Sequence, residues 1–191
     1  PHPYIVKNGA VSQAYYDLIR NALSRCSSLS RNRVVYDSPE MVDTQPPGPL
    51  EGSPVIIFES RNNAETSVFK NGFYVAYSII KLPTDISQFP ENLQNMILDH
   101  ELCAHTQALD HRSNSEKSVL NPQIRFDYSG PSTNDMNTAQ LKAMREGGHE
   151  MTAEFDRDSS MQLFPSLLKG FVSAPPGLPT IVCTMELPKK R

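Results

Sequence analysis

The stretch LDHELCAHTQALDH, residues 98–111, decides how the chain is built, because it carries three of the five histidines. His100 and His105 lie five positions apart. In a regular α-helix, residues four apart are separated by about 40° around the axis, whereas residues five apart diverge by about 140°. The two imidazoles can therefore meet only if a one-residue π-bulge lies between them. We predict that bulge within a long helix over 89–111.

The composition limits the class of protein. The chain has 191 residues, of which 38% are hydrophobic and 20% charged, and this predicts a single globular domain over 1–191. The net charge of −3 argues against nucleic acid or an anionic membrane as a partner. No apolar run approaches the roughly 20 residues that span a bilayer. Nothing in the composition indicates an oligomeric state.

The cysteines are three in number: Cys26, Cys103 and Cys183. An odd set without a C-x-x-C pair is typical neither of a disulfide framework nor of a zinc ribbon. We interpret all three as free or buried thiols, which favours a reducing compartment. One disulfide with a spare thiol is the alternative.

The first half of the chain predicts one helix and several strands. Helical spacing of apolar residues indicates a helix within 9–26. Strands are predicted over 33–37 and 54–60, and Asn71-Gly72 predicts a hairpin turn within 66–80. Two or three antiparallel strands therefore precede the histidine-rich helix.

The second half predicts another helix, over 137–164, and an extended, proline-rich tail over 173–191. Residues 38–53 form a proline-rich loop that we expect to be mobile. The order of elements predicts an α+β fold in which a small antiparallel sheet packs with two ligand-bearing helices. The edge for an extended substrate is expected at strand 54–60 or 73–80.

His100 and His105 are of the type that binds zinc, and Glu101 directly follows the first of them. A glutamate at that place can take a proton from a zinc-bound water, whose pKa the metal lowers to about 7. A third ligand is needed. Glu150 is the predicted one, on the second helix, and Glu154 lies on the same face as an outer carboxylate.

These segments resemble a known family. HELCAH (100–105) and EMTAE (150–154) match, in order, the H-E-x-x-x-H and E-x-x-A-E signatures of the dipeptidyl peptidase III family of gluzincin zinc peptidases. The resemblance implies zinc as the cofactor and a protein or peptide as the substrate. It also implies three zinc ligands, a general base and an outer-shell residue: His100, His105 and Glu150; Glu101; Glu154.

The size of the chain modifies that expectation. Members of the family are several times longer and have two lobes, so their exopeptidase activity is not implied here. A compact endopeptidase fits the length better, of the kind found among secreted or injected bacterial effector proteases. The residue that would stabilise the transition state is not identified by the resemblance; Tyr128, His111 and His149 are the candidates.

Two other functions stay open. His100, His105 and His111 together are similar to the three-histidine set of metzincins and of YbeY-type endoribonucleases, although those use other spacings. In the alternative interpretation His111 only compensates a helix dipole. The chain could also be an interaction protein without catalysis on a protease-like scaffold.

Overall fold

A computed structural model describes residues 1–7, 12–46, 52–71, 74–109, 111, 118–121, 123–146 and 181–188. These residues form a mixed α+β fold, as the element order predicted. Helices pack on a sheet of six strands. The strands are β1 (Tyr4–Val6), β2 (Glu40–Val42), β3 (Ser53–Glu59), β4 (Asn63–Asn71), β5 (Tyr74–Pro83) and β6 (Ile181–Glu186). The helices are α1 (Gln13–Leu29), α2 (Glu91–Leu98) and α3 (Thr133–Glu146).

The sheet is mixed, in the order β2-β1-β3-β5-β4-β6. β1 pairs in parallel with both β2 and β3, and β3 pairs in parallel with β5. β4 is antiparallel to β5 and to β6. The prediction of a small antiparallel sheet is therefore wrong in part, because three of the five strand pairings are parallel. The parallel pairs need long connections, such as α1 between β1 and β2.

The hairpin itself is confirmed, since β4 and β5 pair up to Asn71 opposite Tyr74. The strand order contradicts the prediction that an extended substrate lies along β3 or β5. β3 and β5 are interior strands with a partner on each side, so neither can accept an added strand. Among the described residues the edges of the sheet belong to β2 and β6.

Other boundaries also differ from the predictions. Residues 33–37 contain no strand, whereas β2 lies within the predicted loop 38–53. α3 begins at Thr133, before the predicted start, and the predicted helix beyond residue 146 lies outside the described residues. Part of the predicted tail pairs with β4 as β6.

The histidine-rich stretch is not one helix. α2 ends at Leu98, a π-helix follows over Asp99–Ala104, and a 3₁₀ turn follows over His105–Gln107. Ala108 then adopts a left-handed conformation, with φ of 56°. The predicted long helix is therefore wrong in its extent, whereas the predicted π distortion between His100 and His105 is confirmed. Every residue of the π-helix is buried.

The π-helix packs against α1. Apolar side chains of α1 recur three or four positions apart, which buries one face of the helix. That face joins a single large core with side chains from the sheet and from α2, among them Phe58, Ile80, Met96 and Leu102. None of the helices among the described residues is long and apolar enough to cross a membrane.

A disulfide between Cys26 of α1 and Cys103 ties the π-helix to its neighbour. Cys183 of β6 is buried and does not take part in this disulfide. The interpretation of all three cysteines as thiols is therefore wrong, and the inference of a reducing compartment loses its basis. Sequence alone could not pair two cysteines that are 77 positions apart.

We expect this disulfide to contribute strongly to stability. Closing a loop of 77 residues lowers the conformational entropy of the unfolded chain. The free energy of unfolding rises by about 4 kcal/mol at 25 °C as a result. The double variant Cys26→Ala/Cys103→Ala should therefore lose about 4 kcal/mol of unfolding free energy in urea titrations. Cys183→Ala is the control that keeps the cross-link. Equal urea midpoints for the oxidised parent and the double variant would contradict the expectation.

Candidate metal centre

Three imidazoles converge at the end of the π-helix. His105 Nε2 lies 2.9 Å from His100 Nε2, which lies 3.0 Å from His111 Nε2. The ligand nitrogens of the three residues all lie within 4.8 Å of one another, so the cluster could hold a metal ion. The extra residue in the π-helix brings His105 round to the side of His100, as the spacing predicted. His111 is the third member, as in the three-histidine alternative.

Backbone carbonyls fix the tautomers of the two buried histidines. His100 Nδ1–H donates to the Val119 carbonyl at 2.5 Å, and His105 Nδ1–H donates to the Leu109 carbonyl at 2.6 Å. A neutral imidazole has one N–H, so its Nε2 then carries a lone pair. Each of the two rings therefore presents an acceptor to the centre of the cluster. Metal-binding histidines are commonly oriented in this way.

The left-handed residue Ala108 makes the second of these contacts possible. It reverses the chain after the 3₁₀ turn, so that Leu109 N–H donates back to the Ala104 carbonyl at 3.1 Å. The Leu109 carbonyl is thereby placed beside the ring of His105, four residues earlier. A positive φ is uncommon for alanine, and Ala108 is buried against Val68 and Val75 of the hairpin.

Burial keeps the two inner histidines neutral. Desolvation lowers the pKa of His100 to about 4 and lowers the pKa of His105 well below its usual value. His100 and His105 are therefore neutral at neutral pH, and their two Nε2 acceptors, which face each other at 2.9 Å, repel unless a cation lies between them. A tetrahedral zinc ion with Zn–N distances of about 2.0–2.1 Å needs ligand nitrogens about 3.3–3.4 Å apart, a few tenths of an ångström more than here.

The cluster is closed on one side and open on the other. His100 and His105 have no exposed surface, whereas His111 is exposed. Within the described part of the chain, the side of His111 is therefore the side from which a molecule can approach the nitrogens.

Glu101 is held against the sheet. Its carboxyl oxygen Oε2 lies 2.7 Å from the Thr66 hydroxyl of β4, and the same hydroxyl lies 2.9 Å from the Glu101 carbonyl. Burial raises the pKa of Glu101 to about 8, although the Thr66 contact lowers it. A protonated carboxyl satisfies both contacts, because it donates to Thr66, which then donates to the carbonyl. Oε1 is buried and makes no hydrogen bond of ordinary geometry among the described residues, although the backbone N–H of Met185 in β6 lies close enough to lower the pKa of the carboxyl.

Removing the Thr66 hydroxyl should be costly. Thr66→Val keeps the shape but leaves a buried carboxyl and a carbonyl of Glu101 without their partner, so we expect a loss of about 1–3 kcal/mol in unfolding free energy. Ser78→Ala on β5 is the matched control, because its buried hydroxyl has no partner among the described residues. Chemical denaturation of both variants measures the difference. A Ser78→Ala loss as large as that of Thr66→Val would show that the contacts of Thr66 contribute nothing.

Asp99 anchors the start of the π-helix. Arg25 of α1 donates to its carboxylate at 2.9 Å, and the Tyr128 hydroxyl donates to its other oxygen at 2.9 Å. Burial raises the pKa of Asp99, whereas Arg25 lowers it. Desolvation and the charge of Asp99 raise the pKa of Tyr128. Tyr128 could therefore assist a reaction at the histidines only by leaving Asp99, and its role in transition-state stabilisation stays a prediction.

The remaining predicted site residues lie outside the described residues. Glu150, Glu154 and His149 fall in the undescribed range 147–180, so their roles as ligand, outer carboxylate and transition-state stabiliser stay predictions. Within the described residues, the structure brings His111 to the cluster. Thr66 was missed, because nothing in a strand sequence shows which hydroxyl will face a given carboxyl.

Comparison with known proteins adds no assignment: no protein-family model matches the chain, and no curated protein matches it either.

Proposed function

We propose that the chain is a zinc-dependent hydrolase that cleaves peptide bonds within a protein substrate. One observation carries the proposal: the unprotonated Nε2 atoms of His100 and His105 converge with His111, and the residue after His100 is a buried glutamate. The His-Glu pair and its π-helical spacing from the second histidine support the resemblance to gluzincins. The packing of this segment on β4 supports a zincin-like arrangement.

Zinc is the proposed metal because the three ligands that cluster among the described residues are imidazoles. Zinc binds neutral imidazole in tetrahedral sites, and in catalytic sites three protein ligands leave the fourth position open. Magnesium and calcium prefer oxygen ligands, which the cluster lacks among the described residues. The exposed side of His111 is where the open position would face.

His111 is the third ligand that we propose. It lies with the other two histidines, and its Nε2 is 3.0 Å from that of His100. Glu150 is the ligand that the resemblance to gluzincins implies, and it remains the rival. If both bound the ion together with His100 and His105, four protein ligands would leave no open position in a tetrahedral site.

Glu101 is the proposed general base. A bound zinc ion supplies the polarisation of the scissile carbonyl and lowers the pKa of the attacking water. Its positive charge would also lower the pKa of Glu101 from about 8 and favour the carboxylate. Oε1, which makes no hydrogen bond of ordinary geometry among the described residues, would take the proton from the water as the C–O bond forms. Glu101 then returns that proton to the amine nitrogen as the C–N bond breaks.

A peptide is the proposed substrate, since a net charge of −3 does not favour the binding of RNA. The convergence of His111 is, however, the arrangement that the three-histidine endoribonucleases need. RNA hydrolysis is therefore the second candidate function.

The test is hydrolysis of a mixed peptide library and of a single-stranded RNA by the zinc-loaded protein. We expect peptide cleavage that EDTA abolishes, that added zinc restores, and that is absent in His105→Ala. Cleavage of the RNA alone would replace the proposal with the nuclease. Zinc binding without cleavage of either probe would favour an interaction protein on a protease-like scaffold.

A further inference from the structure

A chain of hydrogen bonds runs from the buried ring of His100 to a buried carboxylate on α3. His100 Nδ1–H donates to the Val119 carbonyl, and the N–H of the same peptide group, on Leu120, donates to the Ser118 hydroxyl at 3.0 Å. That hydroxyl donates to Asp135 Oδ1 at 2.5 Å. Every donor in the chain points the same way, toward the carboxylate.

We propose that Ser118 and Asp135 are positioning residues that orient and polarise His100 for metal binding through the peptide group between Val119 and Leu120. The inference rests on the proposed function, because it assigns the outer part of the same site. The usual outer partner of a metal-binding histidine is a carboxylate or a carbonyl in direct contact. Here a carboxylate would act on the carbonyl through a hydroxyl and one peptide bond.

Burial of this series of hydrogen bonds strengthens the polarisation of His100. Asp135 has no exposed surface and Ser118 is only 3% exposed, so water does not screen the carboxylate. Hydrogen bonds in a row polarise one another, and a peptide group whose N–H is donated becomes a better acceptor at its C=O. The Val119 carbonyl would therefore draw the proton at His100 Nδ1 more strongly and increase the electron density at Nε2.

The two oxygens of Asp135 have separate tasks. Oδ1 accepts the hydrogen bond from the Ser118 hydroxyl, so this oxygen belongs to the series of hydrogen bonds that ends at His100. Oδ2 accepts from the backbone N–H of Ser132 at 2.8 Å, while the Ser132 hydroxyl accepts from the backbone N–H of Asp135 at 3.1 Å. This reciprocal pair is a capping box at the start of α3. Oδ2 also accepts from the Val119 N–H at 3.1 Å, which holds the turn in place.

This division provides a matched pair of variants. Ser118→Ala removes the hydroxyl between the peptide group and Asp135, whereas the capping box stays intact. Ser132→Ala weakens the capping box and removes the hydrogen bond that the Ser132 hydroxyl donates to Asp135 Oδ2 at 2.8 Å, at a cost of about 1 kcal/mol in stability. The contacts from Asp135 Oδ1 through Ser118 to the peptide group stay in place. A structural role alone would make the two variants alike.

The first readout is zinc affinity, measured by competition with a chromophoric chelator. We expect Ser118→Ala to weaken zinc binding by about 10–100-fold, Ser132→Ala to leave it within about twofold of the parent, and Ser118→Thr, which keeps the hydroxyl, to restore it. If Ser118→Ala does not fold, Ser118→Cys replaces it, since a thiol is a weak donor and acceptor. Equal affinities for the Ser118 and Ser132 variants would overturn the inference.

The second readout needs no metal. In the metal-free protein, the Nδ1 proton of His100 should give a downfield, slowly exchanging NMR signal in the parent and in Ser132→Ala, and the signal should move upfield in Ser118→Ala. The two proposals can then fail separately. A parent that binds no zinc overturns the proposed function even if the NMR result holds. A parent that binds zinc but whose NMR signal is the same in Ser118→Ala overturns the role of Ser118 and Asp135 alone.

Discussion

Replacing Glu101 by Gln is expected to lower peptide hydrolysis by about 10²–10⁴-fold while about one zinc ion per chain remains bound. The loss follows from the proposed chemistry, because an amide cannot accept the proton of the attacking water. Zinc remains because the proposed ligands are the three histidines, and the carboxyl of Glu101 does not belong to their cluster.

The fold should tolerate this change. Burial raises the pKa of Glu101 to about 8, so the metal-free protein holds a neutral carboxyl at pH 7. A glutamine is also neutral, and its amide can keep a hydrogen bond with the Thr66 hydroxyl, which lies 2.7 Å from the carboxyl oxygen of Glu101. Glu91→Gln, on the exposed first turn of α2, is the matched control and should keep full activity. Loss of zinc in Glu101→Gln would make Glu101 a ligand and would refute its role as the base.

The second large effect is the dependence of stability on zinc. Without a cation, the Nε2 lone pairs of His100 and His105 face each other at 2.9 Å in a buried site, which is unfavourable. An ion that binds only the folded chain stabilises it by about 4 kcal/mol when its free concentration is about a thousand times the dissociation constant. The urea midpoint of the parent should therefore rise with zinc and fall with EDTA.

His105→Ala should remove this dependence, since the variant has lost one of three ligands and the repulsion as well. Its urea midpoint should be the same with zinc and with EDTA. His2→Ala is the control, because His2 lies 3.2 Å from Glu40 on the surface and outside the cluster. It should keep the zinc-dependent shift of the parent. A parent whose midpoint responds to neither zinc nor EDTA would show that the three imidazoles are only a hydrogen-bonded cluster.

Local periodicity explains what could be predicted from the sequence. The π-helix follows from the five-residue spacing of His100 and His105, because only one distortion of a helix brings such residues together. The hairpin follows from Asn71-Gly72 between two β-prone segments. Both depend on residues that are close in sequence.

What could not be predicted depends on contacts between distant residues. The pairing of β3 with β1 and β5 and the disulfide between Cys26 and Cys103 join segments with no local signal for each other. His111 follows shortly after a left-handed Ala108, a conformation that alanine rarely adopts and that the sequence does not indicate. The five-residue spacing therefore predicted that His100 and His105 meet, whereas the sequence left His111 among several alternatives.

The most direct test of the central claim is the zinc content of the parent and of His100→Ala, His105→Ala, His111→Ala and Glu150→Ala, purified alike and measured by elemental analysis. We predict about one zinc per chain in the parent and in Glu150→Ala, and a loss of zinc in all three histidine variants. Retention of zinc in His111→Ala together with its loss in Glu150→Ala would contradict the three-histidine site and would favour the gluzincin ligand set.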